Sequence, residues 1–266
     1  MNQLKPGEFY GTHYQKSNFE NLIITDTEYT HNKVDWHYHE NPYFTYLLQG
    51  KLFESNKKES YYLDSGSLLF HNWQDAHYNI KPPEYTRGFH IELNQDWFLN
   101  FDIPMANFEG SINLKNPIIK NFMNQVFIET KINDQFSSLS IENNLLEIFN
   151  AIKGNTEKNS TKPDWTNKLK ELLIEERVDY SLNSLSSKLE IHPVHLSREF
   201  NRYFGTSLGH YIRLMRLNKA FCLLVTNTLS LTEICYECGF YDQSHFISNF
   251  KRIYNTTPTK LIKKIG

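Results

Sequence analysis

Two histidines one residue apart, His37 and His39, together with His77, are the candidate ligand set of the first half of this 266-residue chain. Side chains alternate along a strand, so His37 and His39 share one face. Imidazoles so placed can hydrogen-bond a small polar effector, hold a metal ion, or stand as satisfied structural histidines. Trp36, Tyr43, Tyr46 and Trp73 lie close by in sequence and offer aromatic faces to such an effector, a sugar being one candidate. Cys235 and Cys238 have the spacing of half a metal site, but no second pair follows at a zinc-like distance, so they read as core cysteines.

The second candidate chemistry is recognition of a polyanion. Residues 192–204 have helical periodicity, with Leu196 and Phe200 four apart as anchors. Val194, Ser197, Arg198 and Asn201 then fall on the opposite side, flanked by His195 and Arg202. A face of small, hydrogen-bonding and guanidinium groups suits a helix lying in a major groove. A similar unit recurs at 231–254. Leu231–Cys238 is a short helix with Glu233 near its cap, Gly239-Phe240 makes the turn, and a second helix follows from Gln243. Phe246 and Phe250 anchor it, leaving Ser244, His245 and Ser248 outward, with Lys251 and Arg252 in its last turn.

These groups need elements to hold them. Short aromatic and β-branched runs at 22–25, 43–48, 61–63, 67–70 and 88–93 are separated by turn clusters such as Asp64-Ser65-Gly66, and predict a barrel or sandwich. From Pro117 the period becomes 3.6, predicting helices at 117–131 and 139–152. The polar stretch 153–163, with Gly154 and Pro163, reads as an interdomain linker. Beyond it, Trp165, Leu169, Leu172 and Leu173 form an amphipathic stripe. Residues 208–225 make one long helix of roughly 27 Å. That length could set two reading helices into successive major grooves, roughly 34 Å apart.

Charge divides the same way. Residues 1–159 carry thirteen Lys and Arg against twenty Asp and Glu, a net of −7, while residues 160–266 carry fifteen against ten, a net of +5. A basic half suits phosphate contact and an acidic half stays off it. With 39% hydrophobic and 22% charged residues the composition is that of a folded protein, not a disordered one. No run of about 18 apolar residues or signal-like N-terminus is present, so a cytoplasmic protein without a membrane partner is expected. Three cysteines without an export signal argue against a disulfide framework.

Residues 165–264 resemble the DNA-binding domain of the AraC/XylS family of bacterial transcription regulators. The resemblance lies in Leu196-Ser197-Arg198-x-Phe200, Phe204-Gly205-Thr206-Ser207, Arg213-x-x-Arg216-Leu217-x-x-Ala220, Ile234-x-x-x-Cys238-Gly239-Phe240-x-Asp242-Gln243-Ser244-x-Phe246 and Thr257-Pro258. It implies that Val194, Ser197 and Arg198, and in the second unit Ser244, His245 and Ser248, face DNA bases. Departures exist: His192 replaces the usual Ser cap, Ser248 the common Arg, and Asn255 the Gly after the second reading helix. The first half is similar to the cupin-like sensor domain of such regulators, through His37-x-His39 with Gly50 and through 62–70 running on to His77. In metal cupins a Glu stands where Tyr43 or Phe44 stands here.

The implied architecture is α+β and multidomain. A cupin-like β-barrel with dimerisation helices covers 1–155, a linker 156–163, and an all-α double helix-turn-helix domain 164–266. The implied partners are double-stranded promoter DNA, a small-molecule effector, RNA polymerase and a second copy of the chain. No cofactor, metal or catalytic activity is expected. The alternatives are a regulator working through a protein partner, and a metal-dependent cupin enzyme fused to a DNA-binding domain.

Overall fold

A computed structural model describes residues 2–72, 75–105, 108, 110–157, 163–174 and 180–265, with only the backbone of 154–157. Within them the first half forms two facing sheets. The strands are β1 (Asn2–Leu4), β2 (Thr12–Asn18), β3 (Leu22–Glu28), β4 (Lys33–His39), β5 (Tyr43–Gln49), β6 (Lys51–Asn56), β7 (Ser60–Asp64), β8 (Leu68–His71), β9 (His77–Ile80), β10 (Arg87–Leu93) and β11 (Ser111–Asn113). One sheet runs β1-β4-β9-β6-β7 and the other β11-β8-β5-β10-β3-β2. Pairing is antiparallel except between β1 and β4. The five strand runs expected from sequence correspond to β3, β5, β7, β8 and β10.

Alternation gives the larger sheet two different faces. Leu22, Ile24, Phe44, Tyr46, Leu48, Leu68, Phe70, Phe89, Ile91 and Leu93 share one apolar core with helices α2 (Pro117–Ile132) and α3 (Ser137–Glu157). Phe149 of α3 packs edge-on against Phe70 at 5.4 Å, and Phe127 of α2 against Phe89 at 5.1 Å. The opposite face turns to the smaller sheet, with Leu47, Leu52, Tyr61, Leu63 and Leu69 closing an apolar end. A short helix α1 (Gln95–Asn100) follows β10, its N-terminus capped by Asn94.

Helix α3 continues to Glu157 and so runs into the first residues of the expected linker; residues 158–162 lie outside the described ones. Among the described residues seven further helices follow: α4 (Trp165–Ile174), α5 (Leu182–Leu189), α6 (Pro193–Phe204), α7 (Leu208–Thr226), α8 (Leu231–Glu237), α9 (Gln243–Tyr254) and α10 (Pro258–Ile265). The first unit has a core of its own, built from Leu169, Leu185, Leu196, Phe200, Phe204 and Tyr211. The second unit does not. Leu217, Phe221, Ile234, Phe246 and Phe250 belong to the same continuous core as the barrel and α2. Among the described residues no helix is long and apolar enough to cross a membrane.

A buried ion triad fastens α2 to the sheet. Arg87 grips Asp26 with two bonds of 2.7 Å, and Lys131 at the end of α2 reaches the same carboxylate at 2.7 Å. Burial alone would raise the Asp26 pKa, but the two cations outweigh it and hold the carboxyl below its ordinary 3.8. The stability this contributes is present above that value and is lost as pH falls through the lowered pKa. Asp26→Asn strands two cations and should cost about 3–5 kcal/mol in urea denaturation at neutral pH, the deficit against wild type shrinking in acid.

Candidate nucleic-acid interface and the buried histidine cluster

The two reading helices are built alike. Helix α6 starts at Pro193, whose missing N–H costs nothing at a first-turn position, and His192 caps it, its Nδ1 accepting from the Val194 N–H at 3.3 Å. Leu196, Phe200 and Phe204 are buried, while Val194, His195, Ser197, Arg198, Asn201 and Arg202 are exposed. Gly205 takes a left-handed φ of 74° and ends the helix. Helix α9 is capped by Asp242, which accepts from the His245 N–H at 2.7 Å, and ends at Asn255 with φ 53°. Phe246, Phe250 and Tyr254 are buried beneath it, and Gln243, Ser244, His245, Ser248, Lys251 and Arg252 are exposed. Gln243 donates to Thr232, tying the start of α9 to α8. Glu199 sits between Arg198 and Arg202, 3.3 and 3.6 Å from their nitrogens.

Helix α8 opens with a reciprocal cap: the Glu233 N–H donates to Ser230 Oγ while the Ser230 N–H donates to Glu233. Cys222, Cys235 and Cys238 are all buried free thiols. Burial pushes the Cys238 thiol up to about 12.

Inside the barrel, His37, His39 and His77 converge, their ligand atoms within 4.8 Å of one another. The structure adds three groups that sequence reasoning missed. His71 stacks on Tyr43 at 4.3 Å, His90 stacks on Phe9 at 3.8 Å, and Glu54 lies 3.5 Å from His71. At that distance Glu54 and His71 are in contact without a hydrogen bond. Tyr43 lines the cavity as expected, its hydroxyl 3.1 Å from His77 Nε2. His90 is held by Thr25 at 3.1 Å and Tyr29 at 2.6 Å.

Two expected pocket residues lie elsewhere. Trp36 neighbours His37 and so points to the other face of its strand, where it packs on Tyr78 at 5.1 Å. Tyr46 is three residues from Tyr43 and projects into the helical side, donating to Asn124 Oδ1 at 2.7 Å. Trp73 lies outside the described residues. The cavity among the rings measures about 20 Å³. That volume holds about one water or one ion. A sugar, expected here from sequence, has no room unless the walls move. A second cleft of about 300 Å³, lined by Asn18, Asn21, Asn41, Glu92 and Asn94, opens at one end of the barrel.

Burial keeps the cluster uncharged. Desolvation, reinforced by neighbouring imidazoles, drives His39 and His71 well below the ordinary 6.5, and His77 to about 3. Desolvation, with Asp75 adding to it, lifts Glu54 from 4.5 to about 8. A carboxyl so raised keeps its proton in the folded state, and its contribution is lost as pH rises from the unfolded value through 8. Wild type should lose up to roughly 1.4 kcal/mol per pH unit against Glu54→Gln between pH 5 and 8, read from denaturation midpoints at each pH.

Residues 185–264 match a family model described as a helix-turn-helix domain. The HTH-type transcriptional regulator GlxA of Rhizobium meliloti is 38% identical over 76 residues, 29% of this chain and 24% of that protein. The HTH-type transcriptional activator RhaS of Salmonella arizonae is 40% identical over 63 residues, 24% of this chain and 23% of that one. The chain thus spans about a quarter of the length of these two relatives. A structure of ToxT from Vibrio cholerae aligns over 92% of this chain and 99% of its own, at 14% identity and a TM-score of 0.37. The C-terminal segment, with its two exposed reading helices, is a helix-turn-helix DNA-binding domain. Over residues 185–264 it is similar to the helix-turn-helix domains of these transcription regulators.

Proposed function

We propose that the whole chain is a sequence-specific, DNA-binding transcription regulator whose barrel senses a small effector. The observation that carries this reading is the matched burial of the two reading helices. In each, three aromatic or aliphatic anchors are buried and a row of polar and basic residues is exposed. On this reading Val194, His195, Ser197, Arg198, Asn201 and Arg202 contact one stretch of duplex. Gln243, Ser244, His245, Ser248, Lys251 and Arg252 contact the next. Arg198 is the strongest base reader, since a guanidinium can bond a guanine edge twice. The second helix carries Ser248 on its outer face and holds its cations at its end, so it anchors phosphates more than it reads bases.

The domain division proposed is a sensor and dimerisation part over 1–155, a linker over 156–163 and a DNA-binding part over 164–266. A second copy of the chain, RNA polymerase and promoter DNA are its proposed partners, in the cytoplasm. Helix α2 packs between the sheet and α7, so its apolar stripe is spent internally. Phe136 and Leu139, 62% and 69% exposed at the start of α3, are the apolar side chains there left for a second copy. A non-enzymatic role is favoured because the relatives matched are named as regulators.

Footprinting on the DNA upstream of the protein's own gene should define a site. On that site Arg198→Ala should weaken binding by about 1–3 kcal/mol and relax preference at one base pair, by fluorescence anisotropy. Lys251→Ala should weaken all sequences alike and lower the salt dependence by about one contact. Unchanged affinity and preference in Arg198→Ala would remove that residue from its role.

A further inference from the structure

The interior of the barrel has the build of an ion site. His37 and His77 each place Nδ1 2.9 Å from a backbone carbonyl two residues earlier, that of Asp35 and Asp75 respectively. A carbonyl only accepts, so both rings carry the proton on Nδ1 and present the Nε2 lone pair. His77 Nε2 accordingly accepts from the Tyr43 hydroxyl. This backbone anchoring is the arrangement that orients metal-bound imidazoles in general. Among the described residues, Nδ1 of the buried His39 has no hydrogen-bond partner, and neither has Glu54 Oε1 on the same cavity wall. The volume is about that of a single ion.

We propose that the barrel binds one divalent first-row transition-metal ion through His37, His39 and His77, and that this ion is the effector of the regulator proposed above. Three imidazoles without a thiolate favour zinc, iron, nickel or copper over magnesium or calcium. Metal–nitrogen bonds of about 2.0–2.1 Å in a tetrahedral site set nitrogens about 3.4 Å apart. The three rings therefore close by an ångström or so around the ion. The Glu54 carboxyl lines the same cavity. To reach His77 Nε2 the ion displaces the Tyr43 hydroxyl. Tyr43 stands on β5, whose other face carries Tyr46, in contact with α7 through Cys222. Occupancy of the cavity thus acts on the strand that abuts the DNA-binding helices.

The test uses the untagged full chain, stripped with chelator and dialysed against zinc sulfate or cobalt chloride. The expected result is one ion per chain, a cobalt visible spectrum typical of nitrogen ligands, and affinity at least tenfold lower in His39→Ala and His77→Gln. Arg198→Ala should bind the ion as wild type does. Absence of a stoichiometric ion from wild type, or undiminished binding in both histidine variants, overturns the site. Should either variant fail to fold by circular dichroism, the wild-type cobalt spectrum decides, since a spectrum of fully hydrated cobalt overturns it equally. Adding zinc should change the affinity for the footprinted DNA at least tenfold. An ion that binds but leaves that affinity unchanged overturns the effector role alone. This effector role rests on the regulator reading, which stands or falls separately on the footprint and on Arg198→Ala.

Discussion

One buried carboxamide joins the two halves of this molecule. Asn124 of α2 accepts from the Tyr46 hydroxyl at 2.7 Å and donates to Asn218 Oδ1 at 2.9 Å and to the Tyr254 hydroxyl at 3.0 Å. Those partners come from the barrel, from α7 and from the end of α9. Asn218 in turn donates to the Pro117 carbonyl at 2.9 Å, the first residue of α2. Every polar atom in this knot would cost about 1–3 kcal/mol if its partner were withdrawn. The barrel, α2 and the second reading unit are therefore fixed in one mutual arrangement, whereas the apolar contacts around them, such as Phe127 on Phe221 at 5.5 Å, would tolerate sliding.

Strand β5 divides two environments of opposite character. Tyr43 and Thr45 face the polar cavity with its neutral imidazoles, while Phe44, Tyr46 and Leu48 face the shared apolar core. A two-sided strand has no slack, because register and side-chain direction are coupled by the period of two. Displacement of Tyr43 must be accommodated by Tyr46 and Phe44, and so by α2 and α7. The first reading unit, with its separate core, is joined to this assembly through Tyr211 and Ile212 of α7.

Much of this was legible in the residues. The aromatic and β-branched runs 43–48 and 88–93 gave strands, and the anchors Leu196, Phe200, Phe246 and Phe250 gave both reading helices with their outward residues. Asn255 takes the left-handed turn its identity permits, and His192 caps α6 although imidazole is an uncommon cap. The errors in the pocket came from proximity overriding parity. Trp36 and Tyr46 lie at odd offsets from His37 and Tyr43, and a period of two sends them to the far face. The same rule, applied to 88–93, would have placed His90 opposite Phe89 and Ile91 and so inside. His71 and Glu54 needed knowledge of strand pairing, which no local pattern contains. The union of the second unit with the barrel core was equally invisible, since an apolar helix face does not say what it meets.

That union has a practical corollary for anyone dissecting the molecule. Helix α7 turns Asn218, Phe221 and Cys222 toward α2 and β5, and Gly66 lies so close to Cys222 that a Cβ there would stand 3.4 Å from its sulfur. Severing the chain ahead of Trp165 would leave this greasy flank bare in water, with an amide on it deprived of mates. A truncated C-terminal piece would then be prone to self-association, and its appetite for nucleic acid would be a poor proxy for that of the intact polypeptide.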